Sequence, residues 1–247
     1  ERMNYVLDIS GHNGAVDFEK VKATGIEGVM LKCTEGDSYL APKFLPNYEK
    51  ALAAGLKVGA YHFMRADKLA EAAKEGRWFG QCCEGLNLEL GLALDIEHEG
   101  VHWDSAGLSA VDGCNMVHRF AQNAAKYGRE ELYSEKKLWL YASKDYFSRF
   151  LCESELEAYP KWLANPDKLN FERPVAMVQY SWNGQVEGVE KPVDLNVLLD
   201  FARESLDGAE DEVTSEVEEL ENAYGDVLSE LEALELRNML GEEGDNL

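Results

Sequence analysis

The feature that most constrains this chain is the regular alternation of short apolar runs with amphipathic stretches, from Tyr5 to Glu204. Residues 5–9, 28–33, 56–63, 91–96 and 138–142 read as strands, and residues 18–23, 44–54, 68–83, 110–127 and 144–151 as the helices that follow them. The stop signals are local. Asp17 can cap the first helix, and Gly55, Gly85 and Gly128 close three others. Strands over 161–164, 175–181 and 193–195 then follow one another across loops, and a helix is expected to return over 197–204. This alternation predicts right-handed βαβ units and a parallel sheet. Eight strands in so short a span favour a closed barrel over an open sheet. The late loss of helices predicts a barrel that is incompletely wrapped. An open doubly wound sheet is the competing class, but Asp8–Gly14 carries its glycines without the GxGxxG spacing of a phosphate loop. The expected class is therefore α/β, a TIM-like β/α barrel.

A barrel of this kind puts its chemistry at the C-terminal ends of its strands. Polar and aromatic residues fall there: Asp8, Lys32 and Glu35, the run Tyr61-His62-Phe63, Asp95 and Glu97, Tyr141, Trp162, Gln179 and Tyr180, and Asp194. Each alone has a bland reading as a cap, an ion pair or core. The run Gly91-Leu-Ala-Leu-Asp-Ile-Glu97 is the most informative. In a strand, residues i and i+2 share a face, so Asp95 and Glu97 point the same way. Two neighbouring carboxyls push their pKa values apart, which leaves one a proton donor and the other an anion. That is the equipment of glycoside hydrolysis. Tyr61, Phe63, Tyr141, Trp162 and Tyr180 would supply an apolar wall for sugar rings. His12 and His62 are too scattered to form a ligand set, so neither a metal nor another cofactor is expected.

Charge removes whole classes of partner. The formal net charge is −23, and nucleic-acid binding needs Lys and Arg at phosphates. No apolar run is long enough to span a bilayer as a helix. The five cysteines are odd in number and fit no zinc spacing, so they read as free thiols. No export signal is visible, so the expectation is synthesis in the cytoplasm and release without one, or secretion if a signal has been trimmed.

Taken in order, Asp8-Ile-Ser10, Leu31-Lys-Cys-Thr-Glu-Gly36, Gly55-Leu-Lys-Val-Gly-Ala-Tyr-His-Phe63, Leu94-Asp-Ile-Glu97, Trp162-Leu-Ala164, Gln179-Tyr-Ser181 with Gly188, and Val193-Asp-Leu-Asn196 resemble the glycoside hydrolase family 25 muramidases, the Chalaropsis-type lysozymes of bacteria and bacteriophages. Two departures stand out: Asn13 where the family usually has Gln, and Leu40-Ala41 in a stretch that usually holds an Asp. The resemblance implies a barrel of eight strands and five helices. It also implies cleavage of the β-1,4 bond between N-acetylmuramic acid and N-acetylglucosamine in peptidoglycan glycan strands. By position Glu97 would be the general acid, Asp95 its partner, and Asp8 and Asp194 supporting carboxylates. Lys32, Glu35, Tyr61, Phe63, Tyr141, Trp162, Gln179 and Tyr180 would bind substrate. Asp95 could act directly or by orienting the substrate's 2-acetamido group, a recognised exception to the two-carboxylate scheme. An inactive binding or virion structural protein on the same barrel, and a chitinase-like hydrolase, are the alternatives.

Residues 1–207 carry all of these motifs, whereas residues 208–247 change character. Val213, Val217, Leu220, Tyr224, Val227, Leu231 and Leu234 recur at alternating spacings of four and three, the a/d seam of an amphipathic helix. Between 209 and 247 the chain has 14 acidic residues against Arg237 alone. This acidic helical tail is expected to cover its seam either on a barrel or on a second copy through residues 213–234.

Overall fold

The computed structural model describes residues 4–164 and 175–199. Nine strands form one sheet: β1 Asn4–Ile9, β2 Gly28–Glu35, β3 Tyr39–Leu40, β4 Lys57–Phe63, β5 Leu92–Asp95, β6 Leu138–Ser143, β7 Lys161–Ala164, β8 Met177–Gly184 and β9 Val193–Leu198. Eight of them close a ring in the order β1-β9-β8-β7-β6-β5-β4-β2, with β2 returning to β1. The two-residue β3 lies antiparallel on the last residues of β2, Thr34 and Glu35, beyond the reach of β1, whose pairing stops at Leu31. The barrel expected from the sequence is present, with α1 Phe18–Ala23, α2 Phe44–Ala53, α3 Leu69–Cys83, α5 Ala110–Ala125 and α7 Lys144–Arg149 close to their expected limits. Two single turns, α4 Trp103–Ala106 and α6 Glu131–Ser134, complete the described α-helices.

The expected direction of the last strand fails. The sheet is not wholly parallel, because β9 runs antiparallel to both β8 and β1. The cause is the short β8–β9 connection: only residues 185–192 separate the two strands, and a parallel return needs a crossover of a dozen residues or more. The same strand continues through Val197 and Leu198, so the helix expected over 197–204 does not begin there. Its remainder, the tail 208–247 and the 213–234 seam lie outside the described residues.

Alternation along each strand separates two cores. Inward-facing Val6, Met30, Tyr61, Ala93, Trp139, Tyr141, Trp162, Met177 and Leu198 fill the barrel. The buried residues between them, among them Leu7, Val29, Leu31, Val58, Leu92, Leu94, Leu138 and Leu140, face the outer layer. There α3 and α5 pack so closely that a Cβ on Gly76 would stand 2.2 Å from the Phe120 carbonyl oxygen, and one on Gly80 2.6 Å from that of Ala124. Only glycine allows that approach. The end of α5 that faces solvent is set by a capping box, in which Ser109 and Asp112 exchange side-chain and backbone hydrogen bonds. All five cysteines are free thiols, and Cys33 and Cys83 lie with their Sγ atoms 3.8 Å apart in the outer core.

Candidate active site

The inward rows change chemistry from one end of the barrel to the other. Apolar residues occupy the lower positions. One step further along the same face stand Asp8 after Val6, Lys32 after Met30, Asp95 after Ala93, Tyr141 after Trp139 and Gln179 after Met177. In β9 the order is reversed. Asp194 begins the strand rather than ending it, and the antiparallel course sets it directly opposite Asp8 in the register. A period of two places each row on one face, so the polar groups converge at one mouth.

They line a cleft of about 290 Å³ with Ser10, His12, Glu35, Tyr61, Phe63, Arg65, Trp162 and Glu97. All four carboxylates singled out from the sequence are there. So are Lys32, Glu35, Tyr61, Phe63, Tyr141, Trp162 and Gln179. Tyr180 is not brought to the cleft with them. It follows Gln179 on the opposite face of β8, and its ring stands edge-on to Tyr5, 6.5 Å away.

The carboxyls form two hydrogen-bonded pairs, Asp95 with Glu97 and Asp8 with Asp194. Two carboxylates at hydrogen-bond distance cannot both be anions, so each pair retains a proton. Burial raises Asp95 well above the usual carboxylate range, and Glu97 adds to the effect by its charge and its hydrogen bond. Burial also raises Glu97, although the bond from Asp95 pulls it down and the charges of Glu99 and Asp8 push it up. Asp95 is 6% exposed, and one of its oxygens has no partner among the described residues. Glu97 sits past the end of β5 and is the more open of the two. In the second pair, burial and the Asp8 charge push Asp194 up to about 8. Asp8 is also raised by burial, against hydrogen bonds from Asn196 Nδ2 at 2.8 Å and Gln179 Nε2 at 3.0 Å.

Gln179 and Asn196 organise this floor. Gln179 Oε1 accepts from the Tyr141 hydroxyl at 2.8 Å. Asn196 Oδ1 accepts from Trp162 Nε1 at 2.8 Å, and its amide also reaches the Val6 carbonyl. Asn196 was not singled out from the sequence, though it stands two residues from Asp194 on one face of the strand. The departure at Asn13 has a structural role. It accepts from Ser10 N and donates to Pro192 O, both at 2.8 Å, so it ties the loop after β1 to the approach to Asp194.

Arg65 was also missed, although it lies just past Phe63 at a strand end, where the same rule would have found it. Its Nε and Nη2 donate to Glu35 Oε1 at 3.0 and 2.6 Å, and Nη1 donates to the Glu99 carbonyl at 2.8 Å. Lys32 Nζ takes the other Glu35 oxygen at 2.6 Å. Burial raises Glu35, but Lys32 and Arg65 together outweigh it and hold the carboxyl below its usual value. The two cations also cover Phe63, at 4.5 and 4.8 Å from its ring centre. Arg65 thus bolts the end of β2 to the loop that carries Glu97. Replacing it by Gln is expected to leave the barrel folded and lower the rate of any reaction that uses Glu97 by about tenfold, through loss of positioning. Lys at this site should not restore the rate, because it lacks the fork that bridges Glu35 and Glu99. Steady-state rates for the three proteins check this; equal rates would remove Arg65 from the site.

Among the described residues, no group of three or more His, Cys, Asp or Glu side chains is arranged to hold a metal ion. Amides hold one carboxyl pair only: Asn196 and Gln179 donate to Asp8, and Gln179 also reaches Asp194.

A family model described as glycosyl hydrolases family 25 matches residues 7–189. The autolytic lysozyme of Clostridium acetobutylicum is 30% identical over 192 residues, covering 77% of this chain and 54% of the relative. Lysozyme M1 of Streptomyces globisporus is 28% identical over 199 residues, covering 77% and 66%. The chain therefore spans between about half and two thirds of the length of these relatives. The solved structure of the CTP1L endolysin superposes with a TM-score of 0.67 at 27% identity, covering 85% of this chain and 71% of that one.

Proposed function

The chain belongs to glycosyl hydrolase family 25, and from that premise and its paired carboxyls we propose that it is a muramidase, cleaving the β-1,4 bond between N-acetylmuramic acid and N-acetylglucosamine in peptidoglycan. Its place of action in this reading is the cell wall. The observation that carries the proposal is the Asp95–Glu97 pair in the cleft, with Asp95 buried, Glu97 more open beside it, and both carboxyls raised above their ordinary values by burial.

Glu97, the more open member, gives its proton to the glycosidic oxygen as the bond to C1 breaks. The pair's spacing bears on what attacks C1. Direct schemes separate the two carboxyls by about 5–5.5 Å for a covalent intermediate, or about 6.5–9.5 Å for a single displacement by water. Asp95 and Glu97 act on each other directly at the end of β5, and Asp95 is the buried member. That arrangement favours attack by the substrate's own acetamido oxygen, with Asp95 accepting the acetamido N–H and balancing the positive charge that develops. When the acetamido N–H takes the place of Glu97 as the partner of Asp95, Asp95 becomes the acceptor and the proton it shared passes to Glu97, where it is needed. Water then opens the cyclic intermediate, and the Glu97 carboxylate takes the water's proton. Asp8 and Asp194 supply negative potential toward the oxocarbenium-like centre, held by Gln179 and Asn196.

The direct test is incubation with purified peptidoglycan. Release of reducing ends that carry muramic acid is the expected result. Turnover of N-acetylglucosamine oligomers without action on peptidoglycan would instead assign the chain to the chitinase-like alternative.

A further inference from the structure

The aromatic residues inside the mouth make a poor stacking surface. Tyr61, Tyr141 and Trp162 are only 8%, 7% and 2% exposed. They pack edge-to-face on one another, with Tyr141 and Trp162 at 4.7 Å and Tyr61 and Trp162 at 6.5 Å. Phe63 lies under two cations. These rings form the floor of the cleft. A strand of sugars needs an open ring face, and the cleft lining offers none.

Trp182 supplies one. At 59% exposure it is the most exposed large apolar side chain among the described residues. It is not loose: its indole N–H donates to Gln179 Oε1 at 2.6 Å, the oxygen that also receives the Tyr141 hydroxyl. Gln179 lines the cleft and contacts Asp8, so the indole is fixed at the edge of the catalytic carboxyls. The backbone explains the orientation. The β8–β9 pairing slips between Gln179 and Ser181 and again between Ser181 and Gly184, which places Trp182 inside an irregular stretch. Bulges of this kind re-aim side chains beside active sites. Gly184 just beyond packs against Leu195, where a Cβ would meet the leucine side chain at 2.4 Å, so the far end of the stretch is anchored as well.

We propose that Trp182 is the stacking platform of an additional saccharide subsite, placed on the β8 side of the mouth and taking one pyranose ring of the glycan strand next to the ring being cleaved. This rests on the muramidase reading for the identity of the strand, though not for the presence of a saccharide site. An exposed ring whose polar edge is already bonded costs little to order and offers its apolar face to the C–H face of a sugar. Its role is binding, since the ring holds no transferable proton.

The test uses the full chain with Glu97→Gln, so that the strand survives, and measures affinity for soluble uncrosslinked peptidoglycan strands. Adding Trp182→Ala should weaken binding about tenfold, the equivalent of one good aromatic contact. Trp182→Phe keeps a ring but loses the bond to Gln179, and should stay within about threefold of the parent. In the Glu97 background, Trp182→Ala should raise KM and leave kcat nearly unchanged. Unaltered affinity in Trp182→Ala overturns the proposal. So does a Phe variant as weak as Ala, or a fall in kcat at constant KM, because either would mean that the residue acts through Gln179. Thermal melts of each variant separate lost binding from lost folding. A parent that binds strands through Trp182, while wild type cleaves none, leaves the subsite standing and ends the muramidase reading. A parent that binds no strand overturns both.

Discussion

Glu97→Gln is expected to lower kcat on peptidoglycan by about 10²–10⁴-fold, the range for removing a general acid, while leaving the barrel intact. The side chain keeps its size and can still bond Asp95, but it has no proton to give. The turn around it is held by the backbone: Gly100 N and Val101 N donate to the Glu97 carbonyl, each at 2.9 Å, and Arg65 holds the Glu99 carbonyl. The substitution should also stabilise the fold at neutral and higher pH. Glu97 has a raised pKa in the fold, so stability is lost as the pH rises from the unfolded chain's carboxyl value to the folded one and stays lost above it, and a neutral amide removes that penalty. A variant that melts at the same or a higher temperature and is nearly inactive fits the assignment. One as active as wild type would falsify it.

The legible part of this molecule was its repeat. Alternation of apolar runs and capped amphipathic stretches located all eight barrel strands, and five of the six expected helices, because each element obeys a local rule of period and cap. The period of two also gave the site, since Asp8, Lys32, Asp95, Tyr141 and Gln179 continue the inward row of their own strands. What local rules could not give was direction. Nothing within Val193–Leu198 states that β9 runs backwards; that follows from the length of the connection before it. The sequence reading set Asp194 at the mouth as the end of a parallel strand, whereas it stands there as the start of an antiparallel one. Tyr180 and Trp182 show the same limit. A regular β8 would turn Trp182 outward with Tyr180, but the irregular pairing after Gln179 brings its indole back to the mouth.

The floor of the cleft explains why its acids tolerate one another. Asp8, Asp95, Glu97 and Asp194 share one small space, and Lys32 is the cation that eases Asp95. Much of the positive charge near the mouth is already committed, with Glu35 taking both Lys32 and Arg65. The carboxyls must therefore be neutralised by protons rather than by ion pairs. That is a structural reason for an acid to be charged with its proton at working pH, and it makes the site sensitive to the loss of any one member.

Asp95→Asn is the sharpest probe of that sharing. In wild type the pair holds one proton between two acids, and burial together with mutual repulsion keeps it bound as the pH rises. Asn removes the repelling charge and donates a permanent hydrogen bond to Glu97, and both changes favour the Glu97 carboxylate. Activity that needs protonated Glu97 is lost as pH rises through its pKa, so in the variant that loss should begin at lower pH. The alkaline limb of the kcat/KM profile is thus expected to move toward acid. Asn also cannot balance positive charge on the acetamido group, so the rate should stay depressed, by about 10²-fold or more, even where Glu97 is fully protonated. The decisive comparison uses a strand with its acetamido groups removed. If Asp95 works through that group, wild type and Asp95→Asn should cleave the deacetylated strand at similarly low rates in acid. A wild-type enzyme that cleaves it at full speed would instead make Asp95 a direct participant at C1, and the substrate-assisted route would be lost.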